Sequence, residues 1–515
     1  AGCHRADTDA DKGDTAATDS SASVGHVEGI KWFDGTLDAA FATAAAEHKP
    51  VFLYWGAEWC PPCHDLKAHV FSRRDFQEKL RQFVPVYLDG DAPGAQRSGE
   101  EFQVLGYPTA VVLTADRTEI SRIAGGQDLA SYADVLDLAL EGVRPLPAVL
   151  ATLRSGEGET LTQSDCRRLA YNGWGLDPRV DTDELIGSLL LASERCPASA
   201  VSERDRLLVT AADLAASAER KNVEAGKGVS PRLGGLLDSV EALLAERARA
   251  LATGDALLSL GEDFFVVERL ARPAGVTSLS AHWNELMGAI ETDPRFSSST
   301  QLDSVAARLQ AAKSLDAKGR IPDAVAARSR TTLEAFLARD YDADARSGIV
   351  NSASWVLSLL GDDARLHKLL EEQIRTSSTP YYYMPDLADL EEKAGNKTQA
   401  LALLERAYRE ARGPATRFQW GALYVSGLLR MSPEDEPRIR AAMLEVIGEL
   451  EGPDRIHARA RSRLEKLDAS LDKWAGETKN AATLTAVNQR WKQICKALPE
   501  SDPVRTECPG LLAGS

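Results

Sequence analysis

The stretch that most constrains this chain is Trp59-Cys60-Pro61-Pro62-Cys63, which closes the compact apolar run KPVFLYWGA at 49–57. A short, unbroken apolar run of this kind reads as a buried strand. The two prolines fit the first turn of a helix, where a missing N–H has no intrahelical partner to lose. The spacing therefore predicts a strand followed by a helix beginning at Cys60. Leu66 and Val70 then continue one apolar helical face at i, i+4. Two thiols so placed can close a disulfide, hold a metal or staple a turn.

The sequence around the pair narrows the choice. FVPVYLD at 83–89 reads as a second strand after a short helical piece, and VLGYPTAVVLT at 104–114 places Gly106-Tyr107-Pro108-Thr109 before a third. EISRIAGG at 119–126 supplies its hairpin partner, and DLASYADVLDLAL at 128–140 a closing helix. This order resembles the thioredoxin fold over about residues 27–145. The upstream IKWFDGTLDAAFATAAAEHKP is similar to the lead-in of periplasmic thioredoxin-like domains, including the C-terminal domain of the membrane thiol–disulfide interchange reductases. The resemblance implies that Cys60 and Cys63 are the catalytic pair. It also implies a cis peptide before Pro108, opposite the pair, and a substrate backbone aligned along Tyr107, with Trp59 beside it.

The chemistry accounts for the spacing. A thiolate is the nucleophile, and a cysteine at a helix N-terminus is stabilised as one by the dipole and by unpaired N–H groups. Cys60 would attack a substrate disulfide, and Cys63, nearly one turn on, would resolve the mixed disulfide. Pro61 and Pro62 remove two donors from the neighbourhood of the Cys60 sulfur and leave the Cys63 amide. Thiolate stabilisation is then moderate, and the couple is expected to reduce rather than to oxidise strongly. Two departures from the family stand out. Thioredoxins carry a buried Asp six residues before the first cysteine, where this chain has Tyr54, and interchange reductases a Glu seven residues after it, where this chain has Lys67. Tyr54 reads as packing rather than as a base, and Glu58 as an exposed residue that need not substitute. A metal site is the competing reading. His64 and His69 lie five positions apart, so they diverge around a helix, and no second ligand pair completes a zinc set. Thiolates alone would suit Cu(I). His64 reads as an exposed helix residue, and no cofactor is implied.

The other cysteines speak to compartment. Setting Cys3 aside, six remain in three sequence-local pairs: Cys60/Cys63, Cys166/Cys196 and Cys495/Cys508. The last two pairs lack motif character and read as structural disulfides, which requires an oxidising setting such as the bacterial periplasm; the alternative is four reduced, buried thiols. The chain starts Ala1-Gly2-Cys3 and runs to about residue 26 without aromatic residues or apolar periodicity, a composition that predicts disorder. A cysteine leading such a tether resembles the mature start of a bacterial lipoprotein. That resemblance implies lipidation at Cys3 and, with His4 rather than Asp following it, sorting to the outer membrane of a Gram-negative cell. No run reaches the ~20 apolar residues of a spanning helix. The net charge of −17 argues against a nucleic-acid partner.

From 146 to 515 the texture becomes Ala-, Leu-, Glu- and Arg-rich with helical periodicity, as in GLLDSVEALLAERARALA at 235–252. In DLADLEEKAGNKTQALALLERAYREARGP, at 386–414, Gly395, Ala400, Leu404 and Ala407 fall where the tetratricopeptide repeat has its small and bulky positions. Stacked helix pairs, each unable to bury its face alone, are the expected architecture. Several tempting motifs fail. DYDAD at 340–344 lacks the turn glycine and the final Glu of a calcium loop, and AGKGVS at 225–230 lacks phosphate-loop spacing. YYYMP at 381–385 reads as core before a peptide-binding patch, and the tryptophans at 174, 283, 355, 420, 474 and 491 read mainly as core. The sequence thus predicts three parts: a tether over 1–26, an α/β thioredoxin-like domain over 27–145 and an all-α region over 146–515. Its leading reading is a lipid-anchored reductase of protein disulfides, with the helices holding a protein partner or a membrane complex. The alternative is a non-catalytic adaptor that binds through its helices.

Overall fold

The computed structural model describes residues 27, 29–104, 106–124, 129–141, 144–155, 161–174, 181–272 and 277–512. The tether and Cys3 lie outside them, as do Gly125 and Gly126 of the hairpin segment.

The first part runs α1 (Leu37–Glu47), β1 (Val51–Gly56), α2 (Pro61–Leu66), α3 (Arg74–Leu80), β2 (Val84–Asp89), α4 (Ala95–Glu101), β3 (Thr109–Leu113), β4 (Glu119–Ala124) and α5 (Leu129–Leu140). The sheet order is β2-β1-β3-β4, with β1 parallel to β2 and antiparallel to β3, and β4 antiparallel to β3. All six residues of β1 are buried because helices cover both faces of the sheet. Phe52 and Tyr54 point into one core with Leu66, Val70, Phe71, Phe76 and Tyr132. Val51, Leu53 and Trp55 point into the other, with Phe41, Ala44 and Phe102. Strand β3 starts only at Thr109, since Pro108 has no N–H for a ladder. The helix that carries Cys63 departs from the regular one expected. After Leu66 it widens into a π-helical turn over Lys67–Phe71, which seats both Val70 and Phe71 in the core.

The rest is helical, and its buried residues form three successive cores in chain order, over Leu146–Ala311, Leu302–Leu390 and Tyr381–Leu512. Neighbouring helices share each core, so no pair stands alone. Gly395, at φ +86°, turns helix Met384–Lys393 into helix Lys397–Glu410, whose buried face holds Ala400, Leu404 and Ala407. Cys166 is bonded to Cys196 and Cys495 to Cys508, with Cα–Cα separations of 5.9 and 5.6 Å.

Two expectations change. The 235–252 helix breaks at Glu246, where φ −95° and ψ 79° leave helical space, and the next turn lets Arg249 reach Asp205 at 2.6 Å. Trp355 is exposed, on the outer face of a helix that buries Ile349, Val350, Ala353 and Val356, whereas the other five tryptophans named above are buried. Among the described residues no helix is long and apolar enough to cross a membrane.

Candidate active site

Cys60 is the N-cap of α2, in extended conformation, and it is bonded to Cys63. With prolines at the next two positions, the first amide available to its sulfur is that of Cys63, which donates to the Cys60 Sγ at 3.2 Å. The Tyr107–Pro108 peptide is cis, and the Thr109 hydroxyl donates to the Gly106 carbonyl at 2.8 Å behind it. Tyr107 stacks on Trp55 (5.6 Å, 11°) and meets Trp59 edge-on (5.5 Å, 86°). Its hydroxyl accepts from Gln96 Nε2 at 2.8 Å and occupies the space that a Cβ on Gly90 would need. Cys60, Cys63, Ala57, Trp59 and Tyr107 thus form one small cluster.

The acid–base groups differ from those of the family. Tyr54 is buried, its hydroxyl has no partner among the described residues, and burial pushes its pKa well up, so it stays neutral and packs. The sequence reading passed over Asp89, the last residue of β2, which pairs in register with Gly56 just before the cysteine loop. Burial pushes its carboxyl up to about 6, with the Asp91 and Glu58 charges adding to the shift and the Asp91 amide and Lys67 opposing it. Its signal was an acidic residue at the end of a strand parallel to the one that leads into the motif.

The helical region covers this site. Helix Ala343–Leu360 lies along α2, where Asp344 Oδ1 meets His64 Nδ1 at 2.5 Å, and His64 Nε2 donates to the Glu58 carbonyl at 2.6 Å. His64 is therefore a domain contact and not the exposed helix residue expected. Asp65 accepts from Ser297 (3.2 Å) and Ser299 (2.5 Å), and Gly348 packs so tightly on Asp65 that an added Cβ would come within 2.9 Å of its Oδ1. Nearby Asp303 is pushed up to about 7, by burial first and by the Asp65 charge, with a Ser352 hydrogen bond opposing.

On the other side, Trp59 Nε1 donates to Asp91 Oδ2 (3.0 Å) and to Thr416 Oγ1 (2.8 Å). Thr416 in turn gives Asp91 both its hydroxyl (2.6 Å) and its amide (3.0 Å). Trp59 also stacks on Tyr382 at 5.9 Å and lies 6.0 Å from Trp420. The residues that the resemblance assigns to substrate, Trp59 and Tyr107, are thus engaged by the chain's own helices. Cys60 and Cys63 are only 3% and 1% exposed. The YYYMP segment and DYDAD, both set aside as uninformative for chemistry, supply contacts here through Tyr382 and Asp344. Asp342 of DYDAD caps its helix by accepting from Ala345 N at 2.8 Å. Among the described residues no three His, Cys, Asp or Glu side chains are grouped to hold a metal ion.

A disulfide at a helix start, a cis-proline loop against it and a four-stranded sheet behind it define a thiol–disulfide exchange fold. Residues 37–140 match the thioredoxin-like domain family, and this segment is a thioredoxin-like domain joined to a large all-helical region. The same segment is similar to the thiol:disulfide interchange protein DsbD of Klebsiella pneumoniae, 32% identical over 96 residues, which are 18% of this chain and 16% of that protein. The DsbD proteins of Yersinia enterocolitica (32% over 95 residues, 18% and 16%) and Salmonella typhimurium (32% over 96 residues, 18% and 17%) match likewise. The likeness therefore spans about a sixth of the length of these relatives. One solved structure, a circular tandem repeat protein with novel repeat topology, aligns over 75% of this chain and 87% of its own at 15% identity. Its TM-score of 0.20 carries no argument.

Proposed function

We propose that this chain is an exported, lipid-anchored thiol–disulfide oxidoreductase that reduces protein disulfides through Cys60 and Cys63, and that its helical region, with tetratricopeptide-like pairs, holds the protein or membrane complex it serves. The observation that carries the reading is the Cys60 sulfur, placed as helix cap with the Cys63 amide aimed at it and Cys63 as its disulfide partner. The reaction balances without a cofactor. In the reduced protein the Cys60 thiolate attacks one sulfur of a substrate cystine, that S–S bond breaks, and the departing thiolate takes a proton. The Cys63 thiolate then attacks Cys60, the internal disulfide forms, and the second substrate thiolate leaves. The protein loses two electrons, and the substrate gains them. Asp89, the carboxyl raised to about 6, is our candidate for taking the proton from Cys63. The two disulfides outside the site support an oxidising compartment such as the periplasm. The proposed outer-membrane anchor at Cys3 rests on the sequence resemblance alone.

A second reading is favoured by burial. With Cys60 and Cys63 almost wholly enclosed, the pair can act as a staple in an adaptor whose helices do the binding. Trapping separates the two. A Cys63→Ser variant should accumulate covalent adducts through Cys60 that dithiothreitol releases. Recovery of the same partners, with cellular function intact, by the Cys60→Ala/Cys63→Ala double variant would select the adaptor.

A further inference from the structure

Beside the dithiol, the seam between the two parts of the chain leaves a narrow crevice, lined on one wall by Trp59 and Tyr107 and on the other by His457, Arg459, Arg463 and Gln419. The second wall is cationic: its two guanidinium groups only donate, and Gln419 beside them is neutral. Arg459 and Arg463 are i, i+4 neighbours at the start of helix Ala458–Thr478, which has no acidic residue in its first turn. Like charges at that spacing repel, and cations at a helix N-terminus oppose its dipole. Their neighbour Arg461 is neutralised by Glu100 and Glu507. Neither Arg459 nor Arg463 forms an ion pair or hydrogen bond among the described residues. Arg459 instead lies 4.5 Å over the ring of Tyr107. The carboxylate that it feels, Asp91, is already taken up by Trp59 and Thr416.

His457 adds a further donor. It is 8% exposed, and its Nδ1 accepts from the Ala460 amide at 3.3 Å, so the neutral ring carries its proton on Nε2. Burial, with the charges of Arg459, Arg461 and Arg463, pushes its pKa down to about 3 and keeps it neutral. That Nε2–H has no acceptor among the described residues. Two guanidinium groups and a fixed N–H with nothing to bond therefore face the wall where a substrate cystine would sit.

We propose that this crevice is a subsite for a carboxylate carried by the disulfide substrate, held by Arg459, Arg463 and the Nε2–H of His457. The proposal rests on the redox reading above and names the substrate's charge. It makes the helical region a determinant of selectivity at the dithiol.

The test uses the full chain with the Cys60–Cys63 pair reduced, and follows its single-turnover reoxidation by three small disulfides. These are dithiodiglycolate with two carboxylates, neutral hydroxyethyl disulfide, and cystamine with two ammonium groups. The dianion should react about tenfold faster than the neutral compound, the worth of one charge-assisted hydrogen bond, and the dication slowest. The preference should shrink in ~1 M salt. In an Arg459→Gln/Arg463→Gln variant the dianion-to-neutral ratio should fall to about one, whereas Arg463→Lys, which retains the charge, should preserve most of it.

Equal rates for the three compounds would overturn the subsite, as would a ratio unmoved by the double substitution. Failure of every disulfide to reoxidise the pair would instead defeat the redox reading, and the subsite with it. A matched pair of peptide disulfides flanked by Glu or by Lys identifies the source of the carboxylate. A preference for the Glu peptide assigns it to a polypeptide, and indifference between the peptides, beside a preference for the small dianion, to a low-molecular-weight disulfide.

Discussion

Thr416→Val tests the enclosure of the dithiol with almost no change of shape. The substitution removes one hydroxyl, which donates to Asp91 Oδ2 at 2.6 Å and accepts from Trp59 Nε1 at 2.8 Å. Trp59 retains its bond to Asp91, and the Thr416 amide still reaches Asp91 Oδ1, so the net loss is one hydrogen bond to a half-buried carboxylate. Such a bond is worth about 2 kcal/mol. If the helices shield the sulfurs by closing on Trp59, the open population rises by roughly 30-fold. The assay is pulse alkylation of the reduced protein under native conditions, where labelling of Cys60 follows the open fraction as long as closing outruns the reagent. Thr416→Ser, which retains the hydroxyl, should label within about threefold of the parent. An unchanged rate in Thr416→Val, with the melting temperature preserved, would refute the reasoning, because the sulfurs would then be shielded by something other than this contact.

Other outcomes follow from the two half-buried acids with raised pKa values and from the bridges. Asp303, at about 7 in the folded chain against an ordinary ~3.8, gives a stability contribution that is full below pH ~4 and lost as pH rises through about 7. Urea titrations should show stability falling over that window by a few kcal/mol at most, and Asp303→Asn should flatten the trend. Asp89 becomes a carboxylate above about pH 6, so resolution of the mixed disulfide by Cys63 should quicken through that pH. Asp89→Asn should slow this step about tenfold or more and remove the inflection; stopped-flow release of substrate thiol measures it. Paired replacement by alanine of Cys166 and Cys196, 30 residues apart, should cost about 3–4 kcal/mol, and of Cys495 and Cys508, 13 apart, about 3 kcal/mol, read from denaturant midpoints.

What could be read from sequence divides along a physical line. The thioredoxin-like part was legible because its signals are local: an apolar run for β1, prolines at a helix start, and Gly-Tyr-Pro-Thr before β3. The four strands, the helix after Cys60 and the closing helix agree with the structure to within a few residues, whereas α1 and α4 were not legible as helices. The cover over the dithiol was not legible, since it joins residues hundreds of positions apart, such as Trp59 and Thr416, and nothing in either segment alone specifies the pairing. Tyr382 looked like ordinary core and His64 like ordinary surface for the same reason. Gly348 and Gly413 show what the pairing demands. A Cβ on Gly348 would crowd Asp65 and one on Gly413 would crowd Asp91, requirements that only the assembled interface creates. The π turn after Leu66 escaped detection because Val70 and Phe71 are apolar under either helical period.

The central claim is that Cys60 and Cys63 form a couple that opens and closes in the folded chain while the other two bridges stay shut. Equilibrating the full chain in a series of glutathione redox buffers, then alkylating and weighing the intact protein, tests it directly. The account predicts two alkylated thiols, mapped to Cys60 and Cys63, appearing reversibly within the range glutathione can set, with Cys166–Cys196 and Cys495–Cys508 unreduced. A chain that yields no thiols until it is unfolded, or that opens all three bridges together, would contradict it.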